Sequence, residues 1–275
     1  MKTENLLKSE LSKYDFIVIT GASSGIGEAF AAVALDVLGK GNNTRFINIS
    51  RSAAKFENLP NWKSFGCDLT DASALRSCVG EVSAEFFDGA KILLVNNSGF
   101  GAYGEFPEPN LERNLEMIDL NVRALVALCG AFKPFIERGG GSVINVASTA
   151  AFQPCPYLGV YAATKSFVKS FSLSLSFELR HKKCKCLCVC PGPTSSMFFK
   201  AAGFESAPLP SNFGHRPEQV ATAAYAALAK GRSIVVVGLL NRLQSALVRF
   251  VPTRLLLEIS GVVLGKIRNP KKTRR

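Results

Sequence analysis

The chain has 275 residues, 47% of them hydrophobic and 20% charged, with a formal net charge of +12. That composition fits one soluble globular domain with a large core, and no internal repeat or low-complexity tract interrupts it. The charge is uneven. Residues 230–275 hold 11 Lys or Arg and one acid, Glu258, a net of +10, which leaves 22 basic and 20 acidic residues, a net of +2, in residues 1–229. Any polyanion partner therefore belongs to the C-terminal tail, and the body of the chain is not expected to bind nucleic acid.

Met1 to Lys13 is polar and charged and lacks the apolar stretch of a signal peptide, so none is expected. Phe16-Ile17-Val18-Ile19-Thr20 then reads as an apolar strand. Gly21-Ala22-Ser23-Ser24-Gly25-Ile26-Gly27 follows at once, and a helix opens near Gly25. A Gly-rich turn between strand and helix brings backbone N–H groups and a helix N-terminus to a phosphate. Alone such a turn is weak; at the start of a long α/β pattern it is stronger. Further strands are predicted near 45–50, 63–67, 91–95, 142–147, 185–190 and 233–237, and helices near 25–38, 71–87, 111–137, 157–181 and 217–229. This alternation implies an α/β fold: a parallel sheet of about seven strands, covered by helices on both faces through right-handed crossovers.

Ser148 closes the fifth strand, and Pro154 to Gly159 break the chain before the helix that carries Tyr161 and Lys165. Four residues apart, these two share a helix face. A phenol with a pKa of about 10 is a poor acid or base at neutral pH. A fixed ammonium one turn away favours phenolate, and a catalytic group works best with its pKa near the working pH. Ser148 can set a hydroxyl beside the same substrate oxygen. An ordinary helix bearing a Tyr and a Lys is the competing reading, and the rest of the chain decides against it.

The set Thr20-Gly21-x-x-x-Gly25-x-Gly27, Asn96-Asn97-Ser98-Gly99, Asn121, Ser148, Tyr161-x-x-x-Lys165 and Pro191-Gly192 resembles the short-chain dehydrogenase/reductase family in its single-domain form, over about residues 14–237. Ser98 stands where the family usually has Ala. The resemblance implies a Rossmann-type doubly wound sheet; a catalytic domain is expected over 1–238, followed by a basic amphipathic extension over 239–275 that the charge and spacing of the tail suggest. It also implies catalytic Asn121, Ser148, Tyr161 and Lys165, with Asn121 bending its helix and holding a water linked to Lys165. The cofactor contacts it implies are Gly21, Ser23, Ser24, Gly25, Ile26, Gly27, Asp68, Leu69, Asn96, Tyr161, Lys165, Pro191, Gly192 and Thr194, with Thr194 on the nicotinamide carboxamide. Asp68 alternatively caps the helix beginning near Asp71. The rival class is a catalytically silent NADP(H)-binding protein on the same scaffold, against which the intact Ser148, Tyr161 and Lys165 argue.

After the second strand come Ser50-Arg51-Ser52. An acid there would bind the ribose 2′-hydroxyl of NAD and repel a 2′-phosphate. Ser50 and Arg51 can instead hydrogen-bond a phosphate, which favours NADP(H) over NAD(H); a solvated loop arginine is the alternative. Phe100, Phe152, Tyr157 and Phe198, on loops, predict a largely apolar carbonyl or alcohol substrate, with Ser195 to Gly214 as a substrate lid. The stretches 96–106 and 190–203 look most like the 17β-hydroxysteroid and 3-ketoacyl-CoA reductase group. The family also implies a homodimer or homotetramer, paired through the helices near 111–137 and 157–181, with Phe167, Phe171, Leu175 and Leu179 serving core and interface.

Four of eight cysteines form Cys184-x-Cys186-x-Cys188-x-Cys190. On a strand, residues two apart lie about 6.6–6.8 Å apart along the chain, too far to share one zinc. A buried face of free thiols is expected, which suggests a reducing, cytoplasmic setting. His181 and His215 do not cluster with acids or cysteines, so no metal is expected. In the tail, Leu240, Leu243, Leu247 and Phe250 follow helical spacing up to Pro252, and Leu255 to Leu264 is a second apolar run. Neither reaches the roughly 18 apolar residues of a membrane span. Packing on the domain or on a second subunit, peripheral contact with an anionic membrane, and nucleic-acid binding remain open for this tail.

Overall fold

The computed structural model describes residues 2–39, 41–194 and 214–268. The apolar runs become strands β1 (Phe16–Thr20), β2 (Arg45–Ser50), β3 (Trp62–Gly66), β4 (Ile92–Asn96), β5 (Ser142–Val146), β6 (Lys185–Cys190) and β7 (Ile234–Val236). They pair in parallel in the order β3-β2-β1-β4-β5-β6-β7. The order reverses between β1 and β4, and ligands in such sheets bind outside the carboxyl ends of the strands at that point.

The helices are α1 (Lys2–Leu11), α2 (Gly25–Leu38), α3 (Ala72–Ser83), α4 (Leu111–Ile118), α5 (Leu125–Gly139), α6 (Gly159–Leu179), α7 (Pro217–Ala229), α8 (Leu239–Leu247) and α9 (Thr253–Arg268). On one face of the sheet Ile17, Ile19, Phe46, Leu93 and Val95 pack under α1, α2 and α7, with Phe30 against Tyr225. On the other, Phe16, Val18, Ile92 and Leu94 pack under α3, α5 and α6. A sheet buried on both faces needs near-continuous apolar strands, and β1, β4 and β5 are buried at every position. Full burial of a side chain such as Phe132 contributes roughly 1.5–3 kcal/mol.

Strand β6 sends Leu187 and Val189 to one layer and Cys186, Cys188 and Cys190 to the other. All eight cysteines are free and buried. The sulfurs of Cys188 and Cys190 approach to 3.7 Å, because side chains on one strand face lean along the strand. That is a contact of two thiols, well beyond a disulfide bond of about 2 Å. Among the described residues no cluster of His, Cys, Asp or Glu is arranged to hold a metal.

Two elements differ from the sequence reading. The polar N-terminal stretch forms α1, which buries Leu7 and Leu11, while Glu10 pairs with Lys13 and Lys185. Its apolar content is only a few residues, so the pattern registers once α7 supplies a surface. The single helix expected over 111–137 is divided by a π-helical segment, Asp119–Ala124. Beyond β7, α8 and α9 are joined by a short 3-10 turn, Val248–Phe250, and by Pro252.

Candidate active site

A cavity of about 930 Å³ runs along the carboxyl ends of the strands, from Ser50 and Arg51 past the Gly-rich turn to Ser148, Tyr161 and Lys165. Each wall follows from local chemistry. Gly21 takes φ +70°, a left-handed conformation that favours glycine, and its N–H bonds the Ile49 carbonyl at 3.0 Å. Asn48 fixes the turn by accepting from the Ala22 N–H at 3.0 Å. Gly27 does not line the cavity; it lets α2 seat against the turn, since a Cβ there would lie 2.0 Å from the Gly21 oxygen. Ser24 precedes α2 without a side-chain cap bond, so the first-turn N–H groups beside Gly25 and Ile26 face the cavity. A helix N-terminus of this kind suits an anion.

At the next strand end, Ser50 Oγ donates to the Ser52 carbonyl at 2.5 Å and accepts from Asn48 at 3.0 Å, while Arg51 is exposed at the cavity edge. Asp68 accepts from the Thr70 hydroxyl and N–H, bonds that hold its carboxyl below the usual range, with Arg51 contributing. The cap of α3 is Asp71, which accepts from the N–H groups of Ser73 and Ala74. Asp68 is thus left to line the cavity beside Leu69. Ser23, Pro191, Gly192 and Thr194 also line it.

Asn121 sits in the π-helical turn. Its Oδ1 accepts from the Phe100 N–H at 3.1 Å, and its Nδ2 donates to the Phe100 carbonyl at 2.9 Å and to Thr164 Oγ1 at 3.1 Å. A Cβ on Gly99 would meet Asn121 Oδ1 at 2.7 Å and Lys165 Nζ at 3.3 Å, so Asn121 sits directly behind two residues of the cavity wall. Asn121 is 1% exposed and bonds the Phe100 backbone and Thr164 of α6 rather than lining the cavity.

Ser148 lies two residues beyond β5 in extended backbone and caps the following 3-10 turn, accepting from the Ala150 N–H at 3.1 Å. It shares the cavity wall with Tyr161, which lies on α6 with Lys165 one turn on. Lys165 Nζ donates to the Val146 carbonyl at 3.0 Å and stands 5.9 Å from the Tyr161 ring centroid. Burial pushes the Tyr161 phenol up to about 12, against the opposing effect of Ser148, and burial pulls the Lys165 ammonium down to about 8. The expected lowering of the tyrosine by the lysine is therefore corrected. Both groups are taken out of water, and burial disfavours the charged form of each.

Several expected contacts fall elsewhere. Asn96 points into the core, where Nδ2 donates to Asn145 Oδ1 at 2.8 Å and Cys129 Sγ at 3.2 Å, and its buried Oδ1 has no partner among the described residues. The next residues, Asn97, Ser98 and Gly99, line the cavity instead, because successive strand residues face opposite ways. Tyr157, at φ +64°, packs against Tyr103 and Gly265 of α9 rather than facing the cavity. Phe100 and Phe152 do line it, with Arg113 stacked 3.6 Å over Phe100. Phe198 and the lid over 195–213 lie outside the described residues.

The sequence reading missed one wall. Asn241, Gln244, Ser245 and Val248 of the α8 region and Leu256, Ile259, Ser260, Val263 and Leu264 of α9 line the same cavity. Tyr103 donates its hydroxyl to the Leu264 carbonyl at 2.5 Å, which ties α9 over the opening. The described part of the tail thus walls the cavity together with residues before 238. The i, i+3, i+4, i+7 spacing of Asn241, Gln244, Ser245 and Val248, opposite the leucines, was the signal available for this.

The residues present fit a dinucleotide: a Gly cradle whose Gly21 Cβ would strike Ser98 Oγ at 2.8 Å, an open helix N-terminus, and a cation at the adenosine end. A model of the short chain dehydrogenase family matches residues 15–205. The NADP-dependent 3-hydroxy acid dehydrogenase YdfG of Salmonella typhi is 30% identical over 197 residues, 69% of this chain and 76% of that protein. A 3-ketodihydrosphingosine reductase of Bacteroides thetaiotaomicron is 28% identical over 157 residues, 57% of this chain but only 55% of that protein. Among solved structures, a short chain dehydrogenase from Burkholderia cenocepacia in complex with NADP superposes with a TM-score of 0.74 at 19% identity, covering 90% of this chain and 97% of that one. A Burkholderia phymatum member in complex with NAD gives a TM-score of 0.70 at 20% identity, covering 85% and 92%. With more than half its length matched by the family model, this chain belongs to the short-chain dehydrogenase/reductase family.

Proposed function

We propose that the protein is an NADP(H)-dependent oxidoreductase that interconverts a ketone or aldehyde with an alcohol on a largely apolar substrate. The observation that carries this reading is the placement of Ser148, Tyr161 and Lys165 at one end of a cavity whose other end holds the Gly-rich turn and Arg51. When bound, the nicotinamide supplies hydride to the carbonyl carbon. Tyr161 gives its proton to the carbonyl oxygen, and at a pKa of about 12 it is protonated and ready to do so at neutral pH. Ser148 holds the oxygen, and the buried Lys165 ammonium stabilises the phenolate left behind. The reverse reaction returns the proton to Tyr161. Ser50 and Arg51, with no acid beside them on β2, support NADP(H). The dinucleotides bound by the solved neighbours include NAD as well as NADP, and the Salmonella relative is named for NADP.

The substrate end is walled by Phe100, Phe152, Leu158 and the tail residues Val248, Leu256 and Leu264, which supports a lipophilic substrate. The name of the Bacteroides relative, a 3-ketodihydrosphingosine reductase, agrees with that. The protein works in the cytoplasm, as a homodimer or homotetramer, with peripheral membrane contact through its tail. Leu111, Leu115 and Ile118 of α4, and Phe167, Leu173 and Phe177 of α6, are exposed and support the assembly. Leu175 and Leu179, expected to serve both core and interface, are buried in the core alone. The test is Tyr161→Phe, which keeps the ring and removes the proton donor. NADPH oxidation with ketones should fall by about 10²–10⁴ while NADPH binding, read by fluorescence, persists. Near-normal turnover would refute the mechanism.

A further inference from the structure

The outer side of the tail is unusual for a folded surface. Leu240 is 82% exposed and Phe250 85%, and Leu239, Leu243, Leu247, Leu255 and Val262 are all at least half exposed. Exposed apolar side chains gathered on two consecutive helices in this way mark an interaction surface. Its borders are basic: Arg242, Arg249 and Arg254 are exposed, and Glu258 is the one acid in residues 239–275. A second copy of the chain seated on this face would bring like charges together, whereas an anionic surface complements them. Helices with leucine and phenylalanine on one side and arginine beside them lie in the plane of a bilayer interface. Among the described residues no helix is long and apolar enough to cross a membrane.

The same two helices wall the active-site cavity. Ile259 and Val263 belong to both surfaces: each lines the cavity and each is more than half exposed. Ile259 and Val263 thus offer apolar side chains both to the outside of α9 and to the cavity. The inner sides of α8 and α9 meanwhile present Asn241, Ser245 and Ser260. Tyr103 and Pro156 hold α9 in place from the domain side.

We infer that α8 and α9 seat on an anionic lipid bilayer and admit a membrane-dissolved ketone or alcohol directly into the cavity past Ile259 and Val263. The entry of substrate rests on the carbonyl-reductase reading; the seating does not. The probe is vesicles of phosphatidylcholine and phosphatidylglycerol in equal parts, against phosphatidylcholine alone, at low and high salt. The variant is L240Q/L243Q/F250Q, three exposed positions that do not line the cavity. The full chain should sediment with the anionic vesicles, less so at high salt, and the variant should stay in the supernatant. The variant should oxidise NADPH with a short water-soluble ketone at the wild-type rate. With a long-chain ketone dissolved in the vesicles its rate should drop by about tenfold or more. Failure of the wild type to sediment, or equal sedimentation of the variant, overturns the seating. Equal rates on the vesicle-borne ketone overturn the entrance. A dimer seen by light scattering in the wild type and lost in the variant gives the face to a second copy and overturns both. Sedimentation is read without cofactor, so vesicle binding with no NADPH oxidation on any ketone upholds the seating and sinks the reductase reading instead.

Discussion

Replacing Lys165 by methionine separates the cost of burying an ammonium from its use. The side chain is 6% exposed, and burial lowers its pKa from 10.5 to about 8. In the unfolded chain the amine keeps its proton up to about 10.5, and in the folded chain only up to about 8. Between these values the unfolded state binds the extra proton, so wild-type stability rises with pH across that window. At about pH 7 the burial costs the folded protein about 3 kcal/mol, and by about pH 10 the cost has dropped below about 1 kcal/mol. The bond to the Val146 carbonyl does not alter this difference, because a neutral amine donates as well. Lys165→Met should therefore gain stability over wild type at neutral pH, and that advantage should shrink by about 2–3 kcal/mol on going to about pH 10. Urea unfolding of both proteins at the two pH values measures it, since all other titrating groups cancel in the comparison. The variant should also lose carbonyl reduction. A stability difference that is flat with pH, or that grows toward alkaline pH, would refute the argument that the ammonium is desolvated.

Arg51→Asp should weaken NADPH binding and favour NADH, because it sets a negative charge at the site of the 2′-phosphate; titration of both cofactors reads the ratio, and a wild type that already prefers NADH would sink the assignment. Gly27→Val should abolish dinucleotide binding and destabilise the fold, because its Cβ would fall 2.0 Å from the Gly21 oxygen; thermal melts with and without NADPH show both effects. Phe167→Glu with Phe177→Glu should leave the fold intact and shift light scattering toward monomer, and an unchanged mass would remove α6 from the interface.

The strands were legible because a sheet buried on both faces demands unbroken apolar runs, and β1, β4 and β5 are such runs. The Gly-rich turn was legible because backbone freedom at Gly21 and absence of a Cβ at Gly27 are properties of one residue type. Tyr161 and Lys165 share a face at any i, i+4 spacing on a helix, and they do so on α6. These are local constraints, carried within a few residues. The rest depended on what lies across the fold. Whether Asn96 or Asn97 meets the cavity was set by the pairing of β4 with β1 and β5. The direction of the Tyr161 and Lys165 pKa shifts was set by burial, which spacing does not contain. The π-helical turn at Asn121 answers to Phe100 and Thr164, 21 and 43 residues away in the chain. The tail read as amphipathic on its own, but a helical wheel has no knowledge of which surface its second face will meet. The tertiary structure turned that face onto the cavity, and so made the tail a wall of the site.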